Sequence, residues 1–186
     1  MKLVVGTLLL LSLAGVSGKF IWGSCPDIEP IQDFKPASYM GVWWEAMRIK
    51  NTPFEYGDCA HARYTLNEDG TIKVVNSGVK NSTWSSVVGE AYCDKSGSAT
   101  TGACHVRFSE FSPYGPYNVL ATDYENYAVV YGCSNYYIFH ITYAWVLERK
   151  VGGVDVSNYI KYFEKDGLTL EDFHLTTNKN CPPFPN

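Results

Sequence analysis

The chain has 186 residues and a formal net charge of −4, and 46% of its residues are hydrophobic and 15% aromatic. That length fits one domain, and a mildly acidic chain without basic runs excludes nucleic acid as a natural partner. With 14 Tyr, 9 Phe and 5 Trp, much of the core must be ring-lined, which suits strands and apolar pockets.

Residues 1–18 are built like a secretory signal peptide. Lys2 is charged, the run from Leu3 to Val16 is apolar and includes Leu8-Leu9-Leu10-Leu11, and Val16-Ser17-Gly18 ends in small residues. The run is shorter than the ~20 residues needed to span a membrane. The remainder, 19–186, is expected to be a single secreted, extracellular domain. Residues 19–38 hold Pro26, Pro30 and Pro36 without periodicity and read as an extended lead-in.

The first strand is entered through Gly41 and carries Trp43 and Trp44 side by side. Neighbouring side chains of a strand point to opposite faces. One indole therefore plugs an interior while the other lies outside, against a turn or a helix. Residues 59–66 alternate Ala60, Ala62, Tyr64 and Leu66 against His61, Arg63 and Thr65, the pattern of a half-buried strand. Asn67-Glu68-Asp69-Gly70 is a hairpin turn with glycine where positive φ is needed, and 71–79 is the return strand. Further strands are expected over 84–92, 103–111, 117–122, 127–133 and 136–149, joined by turns rich in Gly, Pro, Asn and Asp. Eight strands with short sequential connections close into an up-and-down antiparallel barrel. The period then changes. Val156, Tyr159, Ile160 and Phe163 recur at helical spacing, so one C-terminal α-helix, capped by Asp155 or Ser157 and ended by Gly167, is expected on the outside of the barrel. A short strand near 173–176 and a Pro-rich tail finish the chain.

Six cysteines in a secreted chain imply a disulfide framework, and spacing does not choose among the possible pairings. Cys93 and Cys104 flank a Lys/Ser/Gly/Thr stretch between two strand-like runs, which suits a local bridge. There is no Cys-x-x-Cys and the histidines are scattered, so no metal site is expected. Asn81-Ser82-Thr83 is a glycosylation sequon in a polar turn. No Gly-x-Ser-x-Gly, His-Glu-x-x-His or phosphate loop occurs, so no catalytic residue is assigned and the chain is not expected to be an enzyme.

Gly41-Val42-Trp43-Trp44-Glu45, then Thr122-Asp123-Tyr124, then Arg149 resemble, in order, the three signatures of the lipocalins. The resemblance covers nearly all of the mature chain. It implies an eight-stranded antiparallel calyx, a barrel wide enough to hold one small ligand. Trp43 would close the narrow end and Arg149 would lie over its ring. The resemblance also implies the pairings Cys25–Cys133 and Cys59–Cys181, which leave Cys93–Cys104. Trp44 departs from the tyrosine usual in the most similar subfamily, and Cys93 and Cys104 are additions to it.

Parity places Phe139, Ile141, Tyr143, Trp145 and Leu147 on one face of the last strand and His140, Thr142, Ala144 and Val146 on the other. The bulky set suits a cavity lining, and the smaller set suits the surface under the helix. Tyr64, Asn76 and Trp145 match pocket positions of the resembling subfamily. An amide facing a dry cavity is costly unless it bonds a ligand or a neighbour; an exposed strand end is the other reading of Asn76. The ligand-binding set is therefore Tyr64, Asn76, Phe139, Ile141, Tyr143 and Trp145, and no cofactor is assigned. The resemblance implies a fatty acid such as arachidonate or a steroid such as progesterone, with a tetrapyrrole such as biliverdin or a carotenoid as the alternative. His140 is the nearest candidate for a haem ligand but parity puts it outside, and His61, His105 and His174 read as strand or surface residues. Tyr114, Tyr117 and Phe54 are expected in loops around the open mouth, where exposed rings would touch lipoprotein or membrane.

Overall fold

The computed structural model describes residues 18–50, 52 and 57–183. The proposed signal segment up to residue 17, and Phe54, lie outside the described residues.

Eight antiparallel strands form the barrel: β2 (Gly41–Ile49), β3 (Asp58–Leu66), β4 (Ile72–Lys80), β5 (Thr83–Ser96), β6 (Ala99–Arg107), β7 (Gly115–Thr122), β8 (Tyr127–Tyr136) and β9 (Phe139–Glu148). Each pairs with the next in sequence, and β9 returns to β2 to close the ring. Two short strands extend the sheet. β1 (Lys19–Trp22) pairs with the first half of β9, and β10 (Phe173–Leu175) pairs with the second half of β2. A single helical turn, α1 (Pro36–Tyr39), precedes β2.

Alternation divides the apolar residues into two cores. Trp43, Tyr64, Val74, Val119, Val130 and Leu147 face inward. Met47, Val129, Tyr131, Ala144, Val146 and Phe163 form the second core, between the barrel and the C-terminal segment. Gly41, with φ +97°, lets the chain turn into β2, and Gly70, with φ +86°, closes the β3–β4 hairpin.

Four expectations are corrected. The lead-in is not merely extended, because it contains β1 and α1. The hairpin carrying Cys93 and Cys104 reaches further into the polar stretch than the expected strands 84–92 and 103–111. β5 runs to Ser96 and β6 starts at Ala99, since backbone pairing across the turn outweighs weak side-chain propensity. The β8 strand extends to Tyr136, so β9 begins only at Phe139. The helix lies outside the barrel over Val156–Asp166 but is wound as a 3-10 helix, not an α-helix. Asp155 caps its start by accepting from the Ser157 N–H, and Gly167 ends it at φ +64°. Its stripe of Val156, Tyr159, Ile160 and Phe163 packs on the second core.

The disulfides are Cys25–Cys133, Cys59–Cys181 and Cys93–Cys104. The first ties the lead-in to β8 and the second ties the tail to β3. The third joins residues directly opposite in the β5–β6 ladder. Beneath the 3-10 helix, a polar cluster joins four elements. His140 Nε2 lies 2.8 Å from Asp166 Oδ1, and Asp166 Oδ2 accepts from Tyr131 and Thr142. His140 Nδ1 lies 2.9 Å from the Gly23 carbonyl. His140 is thus outside the barrel, as parity requires.

Candidate functional site

The closed end is built by the residues of the three signatures. Trp43 is completely buried, and its Nε1 donates to the Tyr39 carbonyl at 2.8 Å. The Arg149 guanidinium lies 3.7 Å over the Trp43 ring. It also donates to the carbonyls of Val42 at 2.9 Å, Tyr124 at 3.1 Å, Tyr39 at 3.2 Å and Ser38 at 3.3 Å. One arginine therefore joins α1, β2 and the β7–β8 turn. That turn is held by Asp123, whose Oδ1 accepts the N–H groups of Glu125, Asn126 and Tyr127. Thr122 Oγ1 donates to the Tyr127 carbonyl at 2.7 Å and accepts the Tyr124 N–H, with Tyr124 at φ +68°. Trp44 faces outward, but its ring packs 4.7 Å from His61 rather than on a turn or helix.

Above Trp43 lies a cavity of about 720 Å³, within the range of small-molecule sites. Val74, Ala91, Val119 and Leu147 supply apolar wall, and Tyr39, Tyr64 and Tyr117 supply hydroxyls. Tyr117 Oη lies 3.1 Å from Tyr39 Oη and 2.8 Å from Tyr64 Oη, a chain of three phenols. Burial pushes the pKa values of Tyr39 and Tyr117 well above the ordinary phenol value, so both stay neutral. Trp145 stacks between Tyr117 and Tyr143 at centroid distances of 6.5 and 6.1 Å.

Of the expected binding set, Tyr64, Asn76, Tyr143 and Trp145 line this cavity. Asn76 is not a strand end. It sits in the middle of β4, between Ala62 and Val87, and its Oδ1 is buried without a hydrogen-bond partner among the described residues. Phe139 and Ile141 do not line the cavity. They share the inward face of β9 but lie beyond it, covered by β1. Phe139 packs on Phe20 at 4.3 Å and on Tyr136 at 5.3 Å, and Ile141 pairs with Phe20 in register. Parity fixes a side chain's face but not its height along the barrel.

The mouth rings are also reassigned. Tyr117 belongs to β7 and points into the cavity. Tyr114 packs on Tyr92 at 5.0 Å, lies under Arg107 at 4.6 Å and donates to Glu90. The exposed large apolar residues at this end include Phe20, Trp22, Phe111, Tyr136, Tyr137 and Ile138. His61 is no bare surface residue: its ring sits between Trp44 and Trp84, and burial pushes its pKa down. Sequence reasoning missed Tyr39, whose single helical turn carries no periodic signal, and Glu45, which also lines the cavity. Among the described residues no cluster of three or more His, Cys, Asp or Glu could hold a metal. None of the six cysteines is free, and no helix among the described residues is long and apolar enough to cross a membrane.

Comparison with known proteins agrees with this architecture. Residues 35–177 match the lipocalin-like domain family. The chain is 36% identical to apolipoprotein D of Macaca fascicularis, with 98% of this chain and 100% of that one covered. It is 30% identical to the bilin-binding protein of Pieris brassicae over 76% of this chain and 77% of that one. Among solved structures, insecticyanin from the tobacco hornworm Manduca sexta superposes with a TM-score of 0.72 at 24% identity, covering 86% of this chain and 89% of that one. A closed calyx with an arginine-capped tryptophan at its base, matched over most of its length, places this chain in the lipocalin family.

Proposed function

We propose that this chain is a secreted carrier that holds one small lipophile non-covalently in the barrel cavity, of fatty-acid or steroid class. The carrying observation is the apolar, ring-lined cavity with the unpartnered Asn76 Oδ1 in its wall. A buried acceptor without a partner costs free energy that a bound ligand's O–H or N–H recovers. Each buried CH₂ adds ~0.8 kcal/mol, enough for micromolar binding after ordering costs are subtracted. Native mass spectrometry of the purified protein tests the reading. A ligand mass that leaves on denaturation is expected, and a protein that stays empty after incubation with arachidonate and progesterone would reject it.

A second reading, a tetrapyrrole or carotenoid carrier, is supported by the likeness to the bilin-binding protein and by the stacked rings of Tyr117, Trp145 and Tyr143. A visible absorption band in the purified protein decides for the pigment. We also propose contact with a lipoprotein or membrane surface, carried by Trp22, Phe111, Tyr137 and Ile138 rather than by Tyr114 and Tyr117. Trp22 is 71% exposed, and Phe111, Tyr137 and Ile138 are exposed as well, apolar surface of the kind that meets a lipid phase. Absence of co-sedimentation with liposomes at low salt would reject the contact. Asn81 stands exposed in the β4–β5 turn, and a mobility shift on glycosidase treatment tests its modification.

A further inference from the structure

One buried charged residue of the cavity wall is left unused by the carrier reading. Charged lining residues occur at two heights. Lys80 and Arg107 end β4 and β6 at the mouth. Glu45 stands deeper, on β2 directly opposite Leu147 of β9, and both line the cavity. Glu45 is only 4% exposed. Its Oε1 accepts from Arg48 Nη1 and from Thr176 Oγ1, while no hydrogen bond reaches its Oε2 among the described residues. Its backbone carbonyl accepts from Asn178 Nδ2 at 2.6 Å. The tail residues Thr176 and Asn178 are anchored in turn by the Cys59–Cys181 bridge. The carboxylate is therefore held in the wall through Oε1, by Arg48 of its own strand and Thr176 of the tail.

We propose that Glu45 is a specificity-determining residue of the cavity, selecting ligands whose buried end carries an O–H or N–H donor and rejecting those whose buried end is a carboxylate. This rests on the carrier reading above and narrows it. A carboxylate paired to arginine only accepts hydrogen bonds. The other polar groups of the wall are permissive. The Asn76 amide can turn either its oxygen or its nitrogen to a ligand, and a phenol both donates and accepts. Glu45 alone has no donor to offer. A second carboxylate brought beside it meets like charge in a water-poor space, while Arg48 is already engaged. An alcohol or amine meets a ready acceptor. A fatty acid is left to bind with its headgroup outward, in the solvent at the mouth.

The test uses three chain-matched probes, dodecanol, dodecylamine and dodecanoate, displacing the neutral dye Nile red from the oxidised full-length protein near neutral pH. The alcohol and the amine are expected to displace the dye at about tenfold lower concentration than the acid. In Glu45→Gln the side chain still accepts from Arg48 and Thr176, but its amide can also donate. The acid's disadvantage should then shrink to about threefold or less. Equal displacement by all three probes in the wild type overturns the proposal and leaves Glu45 and Arg48 as a structural staple. So does a preference that survives unchanged in a Glu45→Gln variant of native circular dichroism. If that variant does not fold, the wild-type ratio alone decides. Failure of the dye and all three probes to enter is a different result, which overturns the carrier reading itself.

Discussion

Replacing Trp43 by alanine removes the floor of the cavity. Trp43 is wholly buried, packs 5.1 Å from Tyr39 and lies under Arg149. Truncating a buried tryptophan costs ~3–5 kcal/mol. Loss of the cation–π contact falls within that figure, at ~0.5–2 kcal/mol. The Tyr39 carbonyl does not become an orphan, because Arg149 also donates to it. The new void opens into an existing cavity instead of forming a sealed one, which holds the cost near ~4 kcal/mol. In a domain of this size ~1 kcal/mol moves Tm by ~2–4 °C, so a fall of about 8–16 °C is expected. Thermal unfolding of the oxidised protein by circular dichroism measures it. Trp43→Phe, which keeps a ring beneath Arg149, should lose less than half as much. A Trp43→Ala melting curve within about 2 °C of the wild type would refute the plug assignment.

Trp145→Ala should weaken lipophile binding with only a modest loss of Tm, since the ring stacks on cavity residues; unchanged dye affinity would remove Trp145 from the binding surface. Cys93 and Cys104 lie 11 residues apart in sequence, whereas the other bridges span 108 and 122. Loop-closure entropy therefore ranks the Cys93→Ser/Cys104→Ser protein as the least destabilised of the three double variants, at ~3 kcal/mol or less against ~4–5. Denaturant titration checks that order, and a reversed order contradicts it. Burial pushes the Asp123 carboxyl up, but bonds from the Asn126 side chain and from the N–H groups of residues 125–127 outweigh it and hold its pKa below the ordinary value. The fold thus favours the carboxylate form. Its contribution is complete above the ordinary value of ~3.9 and fades as pH falls through the lowered one. The Tm gap between wild type and Asp123→Asn should close over that acid window; a gap constant with pH would show that the charge is immaterial.

Much of the barrel was legible because its strands carry alternating β-branched and aromatic residues between turns of Gly, Asn and Asp. Asn67 to Gly70 and Thr122 to Asn126 announced their turns through side chains that bond their own backbone. The signatures led to the closed end, where Trp43 and Arg149 meet as expected. What escaped was set by long-range geometry. Lys19–Trp22 has no signal of its own and becomes a strand only because β9 offers an unpaired edge. The stripe from Val156 to Phe163 has helical spacing, but four apolar residues do not determine how tightly the backbone winds. Phe139 and Ile141 were misplaced because alternation knows nothing of where a cavity ends. Glu45 shares the inward parity of Trp43 and was passed over because a charged residue after two tryptophans reads as outward-facing by default; the bulge between Glu45 and Met47 then turns Met47 to the outer core.

β9 changes partner along its length: from Glu148 to Trp145 it bonds β2, and from Thr142 to Phe139 it bonds the four residues of β1. The base half of β9 is therefore locked against β2, while its rim half is covered by a four-residue strand whose other edge carries no partner strand. Amide protons on Lys19–Trp22 should accordingly exchange faster than those of β2 opposite Trp145.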